Sequence, residues 1–258
     1  MRHLLLRFVV VAMVLGTNRY GSATTDTTEP QGTVVLDSMT VAQLEAAGDA
    51  ARLRKDYEQA ARYFEAALKK DRKNAGLYNK LGLAELKGSN LQPARAAFQR
   101  AVKRDSKFAD AQNNLGAVDY MEHNYGAAAK QFKKAAALDE TRAAFHVNLG
   151  AAWFAQKKLE RAVAEYARAL ELDPEALISS SRTGVTAQIS SPEERAKYRY
   201  MLAKIYAKRG EAERCLECLR MAKEDGYRDL ANVYKDEEFT DLRQDPRLAQ
   251  IIPAPASK

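Results

Sequence analysis

The sequence of 258 residues contains little cysteine, histidine, proline or glycine. Two cysteines exclude a disulfide framework, and three histidines leave little for a histidine-based metal site. Seven prolines and 13 glycines are too few for a chain of short strands and turns such as a β-sandwich. The HExxH, GxSxG, phosphate-loop and dinucleotide-loop motifs are absent. We therefore predict no catalytic residues, no metal site and no cofactor, and expect that the protein is not an enzyme.

A membrane-spanning apolar run is also absent. Residues 8–16 form an apolar run of nine residues, whereas a bilayer needs about 20. Arg2 and Arg7 flank the start of this segment, and Gly21-Ser22-Ala23 follows as a small-x-small site. This arrangement is typical of a secretory signal peptide. We predict a signal over residues 1–23, cleavage after Ala23 and export to the periplasm or the medium, with no membrane span after cleavage; an uncleaved membrane anchor is the alternative.

The charge of the processed chain is modest. The full sequence has 41 Lys and Arg against 34 Asp and Glu, and residues 1–23 contain three arginines and no acid. Removal of this segment leaves a net charge of 41 − 3 − 34, or +4. Proteins that bind nucleic acids usually carry a strongly basic patch. We therefore predict no nucleic acid partner.

Four columns of residues recur at a spacing of 34 along the chain. They are Gly48, Gly82, Gly116 and Gly150; Ala60, Ala94, Ala128 and Ala162; the rings Phe64, Phe98, Phe132 and Tyr166; and Ala67, Ala101, Ala135 and Ala169. A leucine precedes three of the four glycines. Small residues at the glycine and first alanine positions let two helices cross closely, and the ring fills space toward the next repeat. A period of 34 with Leu-Gly, then Ala-x3-Phe, then Ala is the tetratricopeptide pattern.

On these columns the chain resembles tetratricopeptide-repeat (TPR) proteins. The resemblance implies an all-α fold, a right-handed superhelical solenoid of helix-turn-helix repeats in which stacking neighbours form the core. The repeat rows are predicted at 41–74, 75–108, 109–142 and 143–176. Each row contains two helical patterns, which break near Lys55-Asp56, Ser89-Asn90, His123-Asn124 and Lys157-Lys158.

A degenerate fifth row follows an insertion. Ala203, Cys215, Leu219 and Ala222 repeat the 12, 4, 3 spacing of the earlier columns, and Gly150 and Ala203 are 53 residues apart, 19 more than one period. We predict an insertion loop at 177–195 and a fifth row at 196–229. Ser191-Pro192-Glu193-Glu194 has the features of a helix start.

The two ends of the chain depart from the repeat. Residues 24–40 are predicted to be a flexible lead. Residues 230–258 contain Leu-Arg-Gln-Asp-Pro-Arg and resemble the segment that closes certain bacterial repeat arrays. A last repeat needs a cover with a polar outer face. The predicted covering side chains are Leu230, Val233, Phe239, Leu242, Leu248 and Ile251.

Cys215-Leu216-Glu217-Cys218 is the only motif that suggests redox or metal chemistry. Three interpretations remain open: two small packing residues in a helix, a strained local disulfide in an oxidising compartment, or a redox or metal role. The repeat register places Cys215 where a packing alanine usually lies.

The resemblance also implies a concave groove lined by the first helices of successive rows. The predicted partner-binding residues are Asn79, Leu83, Leu86, Asn113, Tyr120, Val147, Phe154, Tyr200, Lys204 and Lys208. We expect an extended or helical segment to place apolar side chains at the centre and acidic residues near Lys204 and Lys208. The alternative for Tyr120 and Phe154 is that they pack against neighbouring helices. Glu45 and Asp49 occupy positions where some TPR proteins bind a terminal carboxylate, which disfavours that ligand.

The predicted function is a non-catalytic protein-interaction module or adaptor of the cell envelope, whose partner is a protein or peptide and not a small-molecule substrate. Two alternatives remain: a structural scaffold subunit of an envelope assembly, and an accessory component of an envelope enzyme system.

Overall fold

A computed structural model describes residues 36–177 and 191–255. The predicted signal peptide, most of the predicted lead and residues 178–190 of the predicted insertion lie outside the described residues. The chain divides after Ser38, and the unit that begins at Met39 contains every element discussed below. No helix in the described ranges is long and apolar enough to cross a membrane.

Ten helices form five successive hairpins that stack on one another. The pairs are α1 Val41–Leu53 with α2 Tyr57–Lys70, α3 Ala75–Lys87 with α4 Leu91–Arg104, α5 Ala109–Met121 with α6 Tyr125–Leu138, α7 Ala143–Ala155 with α8 Leu159–Leu172, and α9 Pro192–Lys208 with α10 Ala212–Glu224. Three 3-10 helices at Leu230–Tyr234, Glu237–Phe239 and Asp241–Gln244 follow, and α11 Pro246–Ile251 is last. The described ranges contain no strand. The predicted all-α solenoid is confirmed.

Side-chain caps explain where several helices begin. Thr40 and Gln43 form a reciprocal capping box at α1, in which each side chain accepts a hydrogen bond from the other's backbone N–H. Asn74 accepts a hydrogen bond from the N–H of Leu77 and so caps α3. Ser191 caps α9 in the same way, with proline in the first turn, as its sequence predicted.

A left-handed residue turns each first helix into its second helix. Lys55, Ser89, His123, Lys157 and Gly210 occupy this equivalent position with φ between 61° and 72°. Such a residue ends a helix by letting the following N–H groups bond the last free carbonyls. Rows one to four adopt this conformation with non-glycine residues, and only the fifth of these rows has glycine there.

The glycine and ring columns form one contact within each hairpin. A Cβ added at Gly48, Gly82, Gly116 or Gly150 would lie 2.5–2.8 Å from the ring that its own row contributes. The ring also reaches the next row, since Phe98 packs in one cluster with Leu115 and Val118. In the fifth row, Ala203 and Leu219 replace the glycine and the ring. The methyl group of Ala203 is therefore accompanied by Leu219, which is smaller than the aromatic ring of the other rows.

The largest apolar core lies at the C-terminal end. One cluster runs from Val147 to Ile252 and includes the predicted covering side chains of the closing segment except Leu230, which is partly buried and packs against it. Cys215 and Cys218 belong to this cluster and are free thiols. Burial raises the pKa of each thiol to about 12. Both cysteines thus fit the packing interpretation.

Candidate functional site

A column of side-chain pairs joins the first helices of successive rows. Position five of one row faces position six of the next row, as Glu45 and Lys80 illustrate with Oε1 and Nζ 2.7 Å apart. Asp49, one turn further along α1, also contacts Lys80 Nζ at 2.5 Å. The two carboxylates that we predicted at the start of the groove are therefore both bound by one lysine of row two.

Burial and two carboxylates act in opposite directions on this lysine. Desolvation by burial is the largest single influence and acts to lower the pKa of Lys80, but the hydrogen bonds and negative charges of Asp49 and Glu45 together raise it. Lys80 thus stays protonated at neutral pH, and the charged contact between rows one and two persists.

Asparagine pairs continue the column through rows two to four. Asn114 Nδ2 donates to Asn79 Oδ1 at 2.9 Å, which links α5 to α3. Asn148 Nδ2 donates to Asn113 Oδ1 at the same distance and links α7 to α5. We refer to these four residues as the amide ladder. At the next step Val147 and Met201 hold the equivalent places, and both are buried in the C-terminal cluster.

The predicted groove residues differ in their accessibility. Leu83 and Leu86 are half-buried at the edge of the Phe98 cluster, and Asn113 is half-buried, whereas Asn79 is buried. Tyr120, Val147, Phe154 and Tyr200 were expected to face a partner but are at most 9% exposed. Neighbouring aromatic residues explain part of this burial, since Tyr120 contacts Tyr125 and Phe154 contacts Tyr198 edge to face. The packing alternative describes these side chains, and the expectation of an exposed apolar centre at them is corrected.

The inner side of row five is occupied by the chain itself. Tyr200 Oη donates to Asp236 Oδ2 at 2.9 Å, and Lys204 Nζ lies 3.0 Å from Asp236 and 3.3 Å from Glu238. The Phe239 ring, fully buried, lies 5.6 Å from the Tyr200 ring. Acidic residues do approach this basic end, but they come from the closing segment and not from a partner.

Lys208 requires a separate correction. Its ammonium lies 3.7 Å from Glu238, and its side chain is exposed. In the repeat register it lies one position beyond the equivalent of Phe154, and Ala207 takes that place. Lys208 therefore does not continue the groove column.

Sequence reasoning missed an ion cluster between rows two and three. Arg95 of α4 contacts the buried Asp119 of α5 at 2.7 Å and Glu122, the residue that follows α5, at 2.6 Å. Burial acts to lower the pKa of Arg95, but these two hydrogen-bonded carboxylates raise it. Within the described ranges, no group of three His, Cys, Asp or Glu side chains could hold a metal ion. The cluster joins the two rows.

Comparisons with known proteins agree with this architecture. Models of the tetratricopeptide repeat match residues 45–107, 79–129 and 143–176. A search of curated proteins found no match.

Several solved structures share the fold. A crystal structure of MamA is 19% identical, covers 76% of this chain and 95% of its own, and has a TM-score of 0.52. MamA from Desulfovibrio magneticus RS-1 is 18% identical, with 71% and 93% covered and a TM-score of 0.52. YrrB, titled a TPR protein with an unusual peptide-binding site, is 19% identical, with 80% and 98% covered and a TM-score of 0.50. The repeat-model matches identify the chain as a tetratricopeptide-repeat protein, and the stacked hairpins and these structures show the corresponding fold.

Proposed function

We propose that this TPR protein is a non-catalytic adaptor that binds an extended peptide, or a partner helix, along the inner side of rows two to four. TPR arrays are typically protein-interaction modules, and the matched models and solved structures support that general role. YrrB is described as having a peptide-binding site, which supports a peptide as the class of partner. The amide ladder is the observation that carries the proposal.

The ladder has hydrogen-bonding capacity beyond its own pairs. Each pair uses one N–H and one carbonyl oxygen, so the amide N–H groups of Asn113 and the carbonyl oxygen of Asn114 remain available. Both side chains are half-buried and can be reached from solvent. An extended peptide presents one N–H and one C=O per residue and needs such partners when it leaves water. Leu83 and Leu86 lie on α3, the helix of Asn79, and offer an apolar surface beside the ladder.

The two ends of this groove are already filled. At row one, Lys80 is bound to Glu45 and Asp49, and at row five Lys204 is bound to the closing segment. The remaining inner side spans α3, α5 and α7. Packed helices lie about 8–10 Å apart, so this span is roughly 20 Å. It would accommodate about six residues of extended chain at ~3.4 Å each.

Selection of peptides from a random displayed library against the full chain tests the proposal. Selected peptides should bind parent protein by calorimetry, and Leu86→Ala should weaken them about tenfold, or ~1.4 kcal/mol. Leu53→Ala is the matched control, because Leu53 is 79% exposed on α1 and outside the ladder. Affinity that survives Leu86→Ala, with circular dichroism unchanged, would place the site elsewhere.

We also propose that the adaptor works in the cell envelope, after export. The support is the basic and apolar start of the sequence with its small-x-small site. Mass spectrometry of the protein from its native source should find Thr24 as the first residue. Intact Met1 in a cytoplasmic fraction would refute export.

A further inference from the structure

Nine exposed cations lie on one edge of rows one to three. They are Lys69, Arg72, Lys73, Lys103, Arg104, Lys107, Lys130, Lys133 and Lys134. We refer to them as the basic edge. Lys130 lies near the middle of α6, and the other eight belong to the C-terminal halves of α2, α4 and α6 and to the turns that follow. Because these helices repeat at 34 residues, Lys69 and Lys103 are equivalent, as are Lys73 and Lys107. These charges therefore recur from row one to row two, whereas Ala137 and Thr141 hold the equivalent places in row three, whose lysines lie at other repeat positions.

The cations of the basic edge are not neutralised by neighbouring carboxylates. Among the described residues, none of their side chains has a carboxylate within 4.0 Å, in contrast to the paired cations elsewhere, such as Arg95 and Arg199. The nearby aspartates form hydrogen bonds within the turns. Asp71 accepts a hydrogen bond from the backbone N–H of Lys73, and Asp105 accepts one from the backbone N–H of Lys107. Helix dipoles favour basic residues in a last turn, but Lys73 and Lys107 lie beyond the helices and need another explanation.

The basic edge ends at row four. There Glu171 is equivalent to Lys69 and Lys103, and Glu175 is equivalent to Lys73 and Lys107. Glu175 is bound by Arg214 of row five. Residues 41–142 contain 19 Lys and Arg against 13 Asp and Glu, a net charge of +6, whereas residues 143–258 contain 19 against 18. The excess charge of the array is therefore confined to its first three rows.

From this distribution we infer that the basic edge binds the surface of an anionic lipid bilayer. The cations are spread over three rows on an outer edge of the array. The headgroups of a bilayer form a broad anionic surface that can contact cations of all three rows at once. Each lysine or arginine near that surface contributes to binding. Leu138, 40% exposed, follows Lys133 and Lys134 on α6 and gives the edge an apolar contact for the interface.

Nucleic acid fits this surface less well. Single strands bind through bases stacked on aromatic side chains. None of the aromatic side chains in the described ranges is exposed. The inference is independent of the inner groove, because the basic edge belongs to the second helices and the turns and the ladder belongs to the first helices.

Vesicle co-sedimentation of the full chain tests the inference. The vesicles contain equal parts of phosphatidylglycerol and phosphatidylcholine, and pure phosphatidylcholine vesicles serve as the reference. The test variant is the triple K73E/K107E/K133E. The control is K55E/K87E/K157E, three exposed lysines at the opposite, hairpin-turn edge of the rows. Each triple lowers the net charge by six, and both retain the residues before Val41, so any effect of that segment cancels.

The expected result is that the parent binds the anionic vesicles, that the test triple loses at least about tenfold in affinity, and that the control loses less than about twofold. Raising the salt from about 0.15 M to 0.5 M should weaken parent binding, because it shortens the Debye length. Circular dichroism checks that both triples are folded, and the neutral triple K73Q/K107Q/K133Q replaces the test variant if it is not. Equal losses in both triples, equal binding to neutral vesicles, or binding only to an acidic protein or an oligonucleotide would overturn the inference.

Discussion

Rows one to three and row five are built from the same hairpin but are joined to their neighbours by different means. In the first rows, polar pairs such as Asn79 with Asn114 link the first helices, and the apolar clusters are small. At row five the column is apolar, and one large cluster incorporates the closing segment. The N-terminal rows thus have solvent-accessible polar groups on their inner side, whereas the closing segment covers the inner side of the last row.

This difference has a physical cause. A repeat inside an array is covered on both sides, so its inner column can remain polar and partly wet. The last repeat has a neighbour on one side only and would otherwise expose its apolar face. Phe239 and Asp236 supply the missing neighbour, one by filling the core and the other by binding Tyr200 and Lys204. Stability should therefore respond locally, and four sets of substitutions test how each part of the array is held together.

The largest effect is expected at the cover. Phe239→Ala removes a fully buried ring and should lower the free energy of unfolding by about 3–5 kcal/mol. Because repeats contact only their neighbours, hydrogen exchange should quicken in α9 and α10 and change little in α3. Leu53→Ala, at an exposed leucine, is the control. An equal loss of protection in α3 would show that the array unfolds as one unit.

A smaller effect is expected at a glycine of the first rows. Gly82→Ala places a Cβ 2.5 Å from Cε1 of Phe98, so the ring must move. The free energy of unfolding, measured with urea, should fall by about 1–3 kcal/mol. Gly126→Ala is matched to it, since no atom lies within 4 Å of the added Cβ there. That change should be neutral or stabilise α6 by roughly 0.5–1 kcal/mol. Similar losses in both variants would contradict the ring contact.

Each asparagine pair of the amide ladder should contribute about 0.5–1.5 kcal/mol to the free energy of unfolding, the usual net value of a protein hydrogen bond. A double-mutant cycle with Asn79→Ala and Asn114→Ala should measure a coupling energy in that range. The pair of Asn79 with Asn148, which are not bonded to each other, is the reference and should show additive losses. Additivity in both cycles would mean that the ladder does not stabilise the stacking of rows.

The smallest effect concerns the hairpin turns. Lys157 has φ of 61°, a conformation that glycine adopts without strain, so Lys157→Gly should stabilise the protein by about 0.5–1 kcal/mol. Gly210→Ala, the reverse change at the equivalent place in row five, should destabilise it by a similar amount. Calorimetric midpoints should therefore shift in opposite directions. A shift of the same sign in both variants would refute the strain argument.

The sequence by itself determined the fold class, the family and the positions of the hairpin breaks. These features depend on local sequence patterns that recur every 34 residues. A pattern that is a weak signal in one row becomes a strong one when it recurs in several rows. The start of α9 at Ser191 was predictable for the same reason, because a cap depends on residues within one turn. Val233, Phe239 and Leu248 of the closing segment lie in the C-terminal apolar cluster.

Only the tertiary structure decided which inward residues are accessible. Tyr120 shares the repeat position of the half-buried Leu86, and Val147 shares that of the half-buried Asn113, yet neighbouring helices bury them. Lys80 finds its carboxylates in the preceding row, and Lys204 finds its own in a segment more than 30 residues further on. Exposure and pairing depend on groups that are distant in sequence and brought close by stacking. A repeat pattern describes each row alone, so it does not predict which side chains are exposed or which partners they contact.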